Sequence, residues 1–396
     1  MNRYLHLLKV RKGRIMKKKW VTIFPRCENV HITKEVGAIP GVLSDQLSDY
    51  DCYLVSWNNG EYPNEPFFFP KLHHKFIKKY LVTFGNKYLE ALSELLSVLI
   101  YLKKDGKTID IIHFFHLRWY TSLLILFFKK INPNGKVYVK LDAADSILNI
   151  KLSSKILPFL PIKYGKILEQ VDVVSIETKE LSVKLSNNWE REVVYIPNGY
   201  YPFDFKKVEP KQKKKQIIHV ARMGTSQKNS EFLIRGIIEN KDILIKENWK
   251  VLLVGEATHS FQNYLNVSFN NEPEITDIIE YFGIINDKEK LFKLYSESRI
   301  LAMTSKNESF GIALVEALAT GNQLLTSNII SAPDIVSDKE NGFIYETDNM
   351  KDFSEKLIKL IQNKKWEKDS EYVQKFAKNH FYYPTIIERL MRKLNE

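Results

Sequence analysis

The sequence has little of what disulfide-stapled, collagenous or disordered chains are built from. It has only two cysteines, Cys27 and Cys52, with 16 glycines and 14 prolines among 396 residues. Two cysteines cannot form a metal cluster alone, and nothing has the CxxC or HExxH spacing of a zinc site. The longest apolar runs, such as residues 123–128, are far below the roughly 20 residues of a membrane helix. With 44% hydrophobic and 27% charged residues, we expect a globular protein of two to three domains in a reducing cytoplasm.

The charge balance favours polyanionic partners. There are 59 lysines and arginines against 47 acidic residues, a net charge of +12. Such a balance suits nucleic acid, an anionic membrane face or a phosphorylated substrate. Residues 1–27 hold nine basic and no acidic residues, but no apolar segment follows, so no secretory signal is expected. Translation from Met16 fits the sequence as well as translation from Met1.

Apolar runs alternate with helical patterns along the whole chain, as in a parallel α/β sheet with crossover helices. Residues 205–216 (FKKVEPKQKKKQ) hold six lysines and no apolar periodicity, which is typical of a linker. The strands predicted before and after this linker are 20–24, 53–57, 109–115, 137–141, 173–176 and 193–196, then 217–220, 250–254, 279–282, 300–303 and 323–326. The sequence therefore predicts two doubly wound α/β domains, whose ligands bind beyond the carboxyl ends of the strands.

A loop followed by a short helix carries the most informative acidic residues. In residues 305–321 (SKNESFGIALVEALATG), Glu308 precedes Phe310 and Gly311, and Glu316 comes eight positions after Glu308. The apolar spacing places Glu308 in the loop and Glu316 about two turns into the helix. Free N–H groups at a helix start bind phosphate or sugar oxygens, and a carboxylate accepts bonds from sugar hydroxyls. Taken alone, these glutamates are more often ordinary helix and surface charges.

Two cations follow the first strand of the same domain. In residues 219–229 (HVARMGTSQKN), Arg222 and Lys228 lie six positions apart in a loop that also holds Gly224. Arginine can bind two oxygens at once and lysine adds a mobile charge, so the pair suits a diphosphate. Each cation alone is more often a solvated surface charge. Their combination with two glutamates in one domain favours an anion-binding function.

These motifs resemble the GT-B-fold glycosyltransferases, and specifically the large retaining group called family 4. The resemblance rests on the E-x7-E motif of Glu308 and Glu316 with its FG pair, on Arg222 and Lys228, and on the PNG triplet at 197–199. It covers nearly the whole chain and implies an α/β GT-B architecture of two Rossmann-like domains facing across a cleft. The implied parts are an acceptor-binding domain at 1–204, the lysine-rich linker at 205–216, a nucleotide-sugar donor domain at 217–378, and a helix at 379–396 that packs back on the first domain.

The resemblance also implies residue roles. Glu308 and the backbone amides that follow it hold the donor sugar, and Glu316 holds the ribose. Arg222 and Lys228 neutralise the leaving diphosphate. The donor-binding residues implied in the second domain are thus Arg222, Lys228, Glu308, Phe310, Gly311 and Glu316.

The first domain matches the family less sharply. Gly37 resembles the glycine of the loop after the first strand, where the backbone approaches the donor phosphate, although the usual second glycine is absent. His116, at the end of the strand near 109–115, resembles the active-site histidine, with His113 as the rival. Strand alternation points the two histidines to opposite faces. Lys140 and Asp142 end another strand, where they either pair structurally or reach the acceptor.

Two further patterns bear on metals and membranes. Residues 49–51 spell DxD, the metal signature of the other glycosyltransferase fold, but their context differs, so we interpret them as surface charges and expect no obligatory metal or cofactor. In residues 71–81 (KLHHKFIKKYL) the spacing predicts a basic amphipathic helix, either lying on an anionic membrane or packed on its own domain. Its basic face would hold Lys71, Lys75, Lys78 and Lys79, with Phe67, Phe68 and Phe69 as insertion points.

The resemblance implies retaining transfer of a sugar from a nucleoside-diphosphate sugar, with UDP favoured, to a glycan or lipid-linked saccharide. Abundant lysine, isoleucine and asparagine suggest a low-GC bacterium, hence surface polysaccharide synthesis on the inner face of the membrane. The alternative is a catalytically silent GT-B subunit that binds glycan or a partner glycosyltransferase. Such paralogues typically lose the donor glutamates, and both are present here. No nucleic-acid module is visible, so no nucleic-acid partner is expected.

Overall fold

The computed structural model describes residues 10–11, 14–15, 17–58, 69–82, 84–143, 145–201, 212–337 and 341–396. The chain divides into two compact units. The first unit comprises Met1–Asn198 with Ile386–Glu396, and the second unit comprises Gly199–Thr385. None of the helices in the described ranges combines the length and the apolarity that crossing a membrane requires.

The first unit is built on a seven-stranded sheet that is parallel throughout. Its strands, with a short preceding hairpin, are β1 Val10–Arg11, β2 Arg14–Ile15, β3 Lys18–Ile23, β4 Tyr50–Trp57, β5 His73–Ile77, β6 Ile111–Phe115, β7 Lys136–Lys140, β8 Val173–Ile176 and β9 Val194–Tyr195. Its helices are α1 Asn29–Ile32, α2 Glu35–Gln46, α3 Lys87–Asp105, α4 Trp119–Ile131, α5 Tyr164–Leu168 and α6 Lys179–Asn188, with 3₁₀ turns at Gly106–Thr108 and Asp145–Asn149.

The second unit repeats this design on a six-stranded parallel sheet. Its strands are β10 Lys214–Val220, β11 Lys250–Val254, β12 Ile279–Gly283, β13 Ser298–Met303, β14 Gln323–Ser327 and β15 Gly342–Tyr345. Its helices are α7 Ser230–Glu239, α8 Lys241–Lys246, α9 His259–Asn271, α10 Lys288–Glu297, α11 Ile312–Ala319, α12 Ala332–Ile335, α13 Met350–Ile361 and α14 Trp366–Phe381, with a 3₁₀ turn at Pro273–Asp277. Helix α15, Tyr383–Asn395, ends the chain.

The period of two along each strand divides the core of the second unit between the faces of its sheet. Ile217, Val251 and Leu253 belong to one cluster of buried side chains. Their neighbours Ile218 and Leu252 belong to the other. Successive strand residues point to opposite faces, so helices on both sides of the sheet bury most residues of β11, β13 and β14, whereas the edge strand β12 is largely exposed. This explains why the sequence shows apolar runs rather than alternation.

Both sheets reverse their strand order once. The first has the order β5-β4-β3-β6-β7-β8-β9 and the second β12-β11-β10-β13-β14-β15. The loops after β3 and β6 therefore diverge, as do those after β10 and β13. Such a divergence opens a crevice at the carboxyl edge of a parallel sheet, where ligands bind in doubly wound proteins.

The position expected for Gly37 is wrong. Gly37 lies inside α2, where it is buried, rather than in the loop after the first strand. A Cβ at this position would lie 2.2 Å from the carbonyl oxygen of Ile32. The missing side chain thus allows α2 to pack against the end of α1, which is a structural reason for a glycine here.

The amphipathic helix predicted for residues 71–81 is also wrong, because His73–Ile77 form the edge strand β5. Lys75 lies opposite Val55 of β4, and pairing with β4 satisfies the backbone groups that a helix would satisfy internally. Phe69 is 1% exposed, so it is no insertion point. Phe67 and Phe68 lie outside the described residues.

The predicted lysine-rich linker, residues 205–216, extends too far toward the second unit. Strand β10 starts at Lys214 and pairs with β11 and β13, so residues 214–216 belong to the sheet. Lys213 is buried and its ammonium donates to the carbonyl of Ser298 at 2.7 Å. Burial lowers the pKa of Lys213 to about 7. Most of the remaining linker, residues 205–211, lies outside the described residues.

The boundaries of the two units differ from the predicted domains at both junctions. The second unit begins at Gly199, and its last helix crosses back to the first unit at Ile386. Lys393 of this helix forms an ion pair with Glu192 at 3.0 Å. The ammonium of Lys136, at the start of β7, donates to the carbonyl of Leu394. The end of α15 is therefore fixed to the sheet of the first unit.

Candidate functional site

The loops after β10 and β13 hold the charged residues of the second unit. Arg222 and Lys228 follow β10, and Glu308 follows β13. The two strands are parallel neighbours, with Ile217 opposite Ile300, so both loops leave the same edge of the sheet. The residues therefore meet at the crevice where the strand order reverses.

Lys228 and Glu308 are in direct contact. The ammonium of Lys228 forms an ion pair with the Glu308 carboxylate, and the Ser305 hydroxyl donates to the same oxygen at 2.7 Å. The Lys228 and Glu308 side chains are only 18% and 12% exposed. The Thr304 hydroxyl donates to the Lys228 carbonyl at 3.0 Å, which joins the two loops directly. The fold thus brings together a cation and an anion that lie 80 positions apart.

Buried contacts of Phe310 fix the turn before α11. Gly311 precedes the helix at φ 81°, a left-handed conformation that favours glycine. Phe310 is 1% exposed, and its ring packs against Phe381 at 6.2 Å between centroids. Its carbonyl accepts from the Ser331 hydroxyl at 2.5 Å. Phe310 therefore anchors the turn by its side chain, and only its backbone can serve a ligand.

Glu316 has a separate set of partners on α10. Its carboxylate accepts from Lys288 at 3.1 Å and from the hydroxyl of Tyr295 at 3.4 Å. Tyr295 is fully buried, and this burial raises its pKa well above the usual value, so the phenol remains a donor. Glu316 is 13% exposed. A partly exposed carboxylate whose orientation is fixed by two donors can accept from ligand hydroxyls.

Arg222 lies exposed in the loop after β10. Its carbonyl accepts from the Thr225 hydroxyl at 3.2 Å, which closes a turn that continues through Gly224 at φ 83°. A Cβ on Gly224 would lie 2.0 Å from the hydroxyl oxygen of Thr258. The loop therefore packs closely at Gly224 while Arg222 is free to reach a ligand in solvent.

The first unit has a cavity of about 320 Å³ at its own strand reversal. Phe24 after β3, and Phe115 and His116 at the end of β6, line it. The wall also contains apolar residues, among them Val98 and Leu124, and these charged or aromatic side chains: Arg26, Glu28, His31, Glu94, Arg118 and Tyr120. A concave site with a few polar groups among aromatic rings is typical of small-molecule binding.

Of the two candidate histidines, His116 lines this cavity and His113 lies in the core. His113 is fully buried, stacks on Tyr138 at 4.4 Å between centroids, and shares a hydrogen bond of 3.2 Å with Thr22. His116 is partly exposed, and its left-handed φ of 62° turns the chain out of β6. Burial, with a smaller effect of Arg118, lowers the pKa of His116. The ring is thus neutral near pH 7.

Arg26, in the same cavity wall, was missed by the sequence reasoning. Its guanidinium forms ion pairs with Glu94 and, at 3.0 Å, with Glu90. Both glutamates come from α3, one turn apart. The only available signal was the position of Arg26 in the loop directly after β3, where the resemblance directed attention to Gly37 instead.

Lys140 has a structural role. It is 2% exposed, and its ammonium donates to the Ile196 carbonyl at 2.9 Å. Among the acidic residues, Glu177 has the largest opposing effect on the pKa of Lys140, and its carboxylate accepts from the Ala143 amide at 3.2 Å and from Asn198 at 2.8 Å. Burial raises the pKa of Glu177 and lowers that of Lys140. The network fixes the loops after β7 and β9, including the PNG triplet.

Asp142 and the two aspartates of the DxD triplet lie at the surface, whereas Tyr50 between the aspartates is buried. Asp142 is exposed beyond the end of β7. Asp51 forms an ion pair with Lys17 at 3.2 Å, and the side chains of Lys17 and Asp51 are 49% and 40% exposed. This agrees with the interpretation of the triplet as surface charge.

Residues 201–380 match the family described as glycosyl transferases group 1. An uncharacterized glycosyltransferase of Methanocaldococcus jannaschii is 27% identical over 186 residues, 44% of this chain and 46% of the relative. The lipopolysaccharide 1,6-galactosyltransferase of Escherichia coli is 26% identical over 186 residues, 45% of this chain and 50% of the relative. The chain thus matches about half the length of these relatives.

Solved structures match over nearly the whole chain. Sucrose-phosphate synthase from Thermosynechococcus elongatus has a TM-score of 0.68 at 14% identity, covering 95% of this chain and 98% of that one. HepE of Anabaena, in complex with UDP and glucose, has a TM-score of 0.64 at 14% identity, covering 96% and 99%. The fold is therefore the predicted α/β GT-B architecture of two Rossmann-like domains.

Proposed function

We propose that the protein is a glycosyltransferase that moves a sugar from a nucleoside-diphosphate sugar, with UDP favoured, to a saccharide or lipid-linked saccharide acceptor. The pathway would be the synthesis of a bacterial surface polysaccharide, at the cytoplasmic face of the membrane. The transfer would retain the anomeric configuration and require no metal or other cofactor. The family match supports the reaction class, and a lipopolysaccharide galactosyltransferase among the relatives supports the acceptor class.

The observation that carries this proposal is the contact between Lys228 and Glu308 at the reversal of the second sheet, with Glu316 on the helix that follows the Glu308 loop. A glycosyl donor has three parts: a sugar, a diphosphate and a nucleoside. Largely buried glutamates that keep some exposure suit the hydroxyls of the sugar and the ribose, and cations suit the diphosphate. The complex of HepE with UDP and glucose supports the same donor class.

Each donor residue then has one role. Glu308 and the amides at Gly311 bind the donor sugar, because the carboxylate and the turn are adjacent in the chain. Glu316, held by Tyr295 and Lys288, binds the ribose. Arg222 and Lys228 face the diphosphate, where two cations, of which Lys228 is held in place by its ion pair, supply the charge that a metal supplies in other transferases.

The reaction breaks the bond between the anomeric carbon and the diphosphate oxygen and forms a bond from that carbon to the acceptor hydroxyl oxygen. The hydroxyl proton passes to the leaving diphosphate, so atoms and charge balance. Negative charge develops on the leaving oxygen, and preorganised cations stabilise it without reorganisation. Attack from the face that the leaving group vacates retains the configuration.

We assign the acceptor to the cavity of the first unit. Its volume of about 320 Å³ and its aromatic and charged walls suit a sugar residue. His116 would contact the reacting sugar as a neutral imidazole, which can both donate and accept a hydrogen bond. Asp142 stays a candidate for acceptor contact because it is exposed, whereas the position of Lys140 favours support of the surrounding loops.

The test is thermal unfolding of the wild type and of Glu316→Ala with nucleoside diphosphates and nucleotide sugars. A ligand at about 100 times its Kd stabilises by roughly 2.7 kcal/mol. In a unit of this size that raises the midpoint by several degrees. We expect one nucleotide, UDP or a UDP-sugar, to raise the midpoint of the wild type but not of the variant.

Glu297→Ala is the matched control. Glu297 is 19% exposed and also pairs with a lysine, Lys214, at 2.7 Å. It lies at the opposite, amino-terminal edge of the sheet, where β10 begins, so the control should respond to UDP as the wild type does. Folded wild-type protein that responds to no nucleotide would contradict the proposal and favour a silent subunit.

A further inference from the structure

An apolar surface in the first unit lies far from the donor residues in sequence. One of its residues, Tyr88, also lines a cavity that shares Arg26, Arg118 and Tyr120 with the proposed acceptor cavity. Phe84 and Tyr88 expose 94% and 80% of their surface, which is extreme for aromatic side chains in a folded protein. They belong to a group of exposed apolar residues that we call the apolar ridge: Val82, Phe84, Tyr88, Leu92, Leu96 and Ile100.

The ridge follows one face of α3. Leu92, Leu96 and Ile100 are spaced four residues apart, so they form a single stripe along the helix, and each is 40–47% exposed. A surface helix normally directs its polar residues outward. Here polar residues point inward instead: Glu94 bonds Arg26, and Ser97 accepts from the Trp57 indole at 3.1 Å.

The segment before α3 extends the same surface. The amide of Leu81 donates to the Ser93 hydroxyl at 3.3 Å, which fixes this segment to the helix. Asn86 then caps α3 by accepting from the amide of Tyr88 at 2.9 Å. Phe84 therefore projects at the amino-terminal end of the stripe, and the ridge is one surface rather than scattered residues.

The charge around the ridge is predominantly positive. Residues 71–105, which run to the last residue of α3, contain seven lysines and three acidic residues, Glu90, Glu94 and Asp105. Both glutamates are turned inward, with 24% and 7% exposure, and are paired with Arg26. The lysines that surround the ridge are Lys71, Lys75, Lys78, Lys79, Lys87, Lys103 and Lys104.

Exposed aromatic and aliphatic side chains flanked by lysines match the chemistry of an anionic lipid surface. Lipid tails accept apolar side chains, aromatic rings partition to the interface, and anionic headgroups attract lysines. A nucleic acid would bind the lysines but give the aliphatic stripe no partner. We propose that the apolar ridge inserts into an anionic lipid bilayer and that the flanking lysines bind its headgroups.

This surface takes the membrane-binding role that the sequence pattern assigned to an amphipathic helix at residues 71–81. Lys71, Lys75, Lys78 and Lys79 lie on and beside β5, and α3 supplies the apolar part that the sequence pattern assigned to residues 72–81. The inference goes beyond the proposed transfer reaction, because binding to lipid needs neither donor nor acceptor.

The test is flotation of the full-length protein with phosphatidylcholine vesicles that contain or lack phosphatidylglycerol. The ridge variant is Phe84→Ser with Tyr88→Ser. The matched control is Phe282→Ser with Ile284→Ser, which removes two exposed apolar residues (39% and 60%) from the second unit. We expect the wild type and the control to float only with anionic vesicles, and the ridge variant to bind at least about tenfold more weakly.

A charge variant, Lys75→Glu with Lys78→Glu, should weaken binding similarly, and higher salt should weaken binding of the wild type. The proposal is overturned if the wild type does not float, or if the ridge variant floats like the control. The proposal is also overturned if the wild type forms a dimer that the ridge variant does not form. It is overturned as well if the wild type retains nucleic acid but does not bind vesicles. The UDP-induced rise in melting temperature, measured on each variant, shows separately whether the protein is folded and whether the donor site is present.

Discussion

Replacement of Lys228 by methionine should affect stability and turnover to very different extents. The Lys228 and Glu308 side chains are 18% and 12% exposed, so their ion pair is largely but not fully buried. Exposed pairs contribute about 0–1 kcal/mol, whereas breaking a buried pair costs about 3–5 kcal/mol. We expect a loss of about 1–2 kcal/mol, which lowers the melting temperature by roughly 2–8 °C in a unit of this size.

The effect on turnover should be larger. Loss of one preorganised charge that faces the leaving group raises the barrier by about 3 kcal/mol. Since 1.36 kcal/mol corresponds to a factor of ten, kcat should fall roughly 100-fold. The assay is release of UDP from a UDP-sugar, measured well below the melting temperature of the variant, with circular dichroism on the same sample.

Two variants separate charge from fold. Lys228→Arg keeps a cation and should retain more turnover than Lys228→Met. Lys214→Met also removes a lysine that is paired with a glutamate, Glu297, but at the other edge of the sheet, so it should leave turnover unchanged. A folded Lys228→Met variant that turns over within about threefold of the wild type would refute the leaving-group role.

Two further predictions concern a backbone turn and a protonation state. Gly224→Ala should destabilise the protein by at least about 3 kcal/mol, because it adds a steric clash to left-handed strain. Gly283→Ala, at φ 67° and with no atom within 4 Å of the added Cβ, has the strain alone. Gly283→Ala should lower the free energy of unfolding by about 1 kcal/mol. Equal urea midpoints for Gly224→Ala and Gly283→Ala would contradict this reasoning. For His116, burial lowers the pKa, so the ring stays neutral until the pH falls below the ordinary histidine value of 6.5. The His116-dependent part of kcat/KM should therefore be constant from pH 8 to 6.5 and fall only in more acidic solution. An inflection above pH 6.5 that disappears in His116→Asn would show instead that the pKa of His116 is not lowered.

The parts predicted best were those that depend on local pattern. The runs at 20–24 and 250–254 correspond to β3 and β11, because parallel strands buried on both faces need continuous apolar sequence. The loop position of Glu308 and the helical position of Glu316 are confirmed, since the glycine before α11 and the apolar spacing after it are local signals.

The parts predicted wrongly depend on tertiary neighbours. Residues 73–77 satisfy a helical pattern and a strand pattern equally over so short a span, and only pairing with β4 decides between them. Gly37 is a glycine because Ile32 lies against it, and the sequence around it gives no sign of that contact. Arg26 and Glu177 were missed for the same reason, because their partners come from distant segments.

The sequence by itself determined the class of fold and the loop and helix positions of Glu308 and Glu316, because these follow from periodicity and from spacing within one segment. The roles of the candidate donor residues rest on the resemblance to the GT-B glycosyltransferases. Only the tertiary structure decided that Lys228 contacts Glu308 and that Tyr295 and Lys288 hold Glu316. It also decided that His116 rather than His113 lines a cavity, and that α3 and the segment before it expose the apolar ridge. Such contacts join residues far apart in the chain, and side-chain burial depends on what the rest of the fold places above each residue.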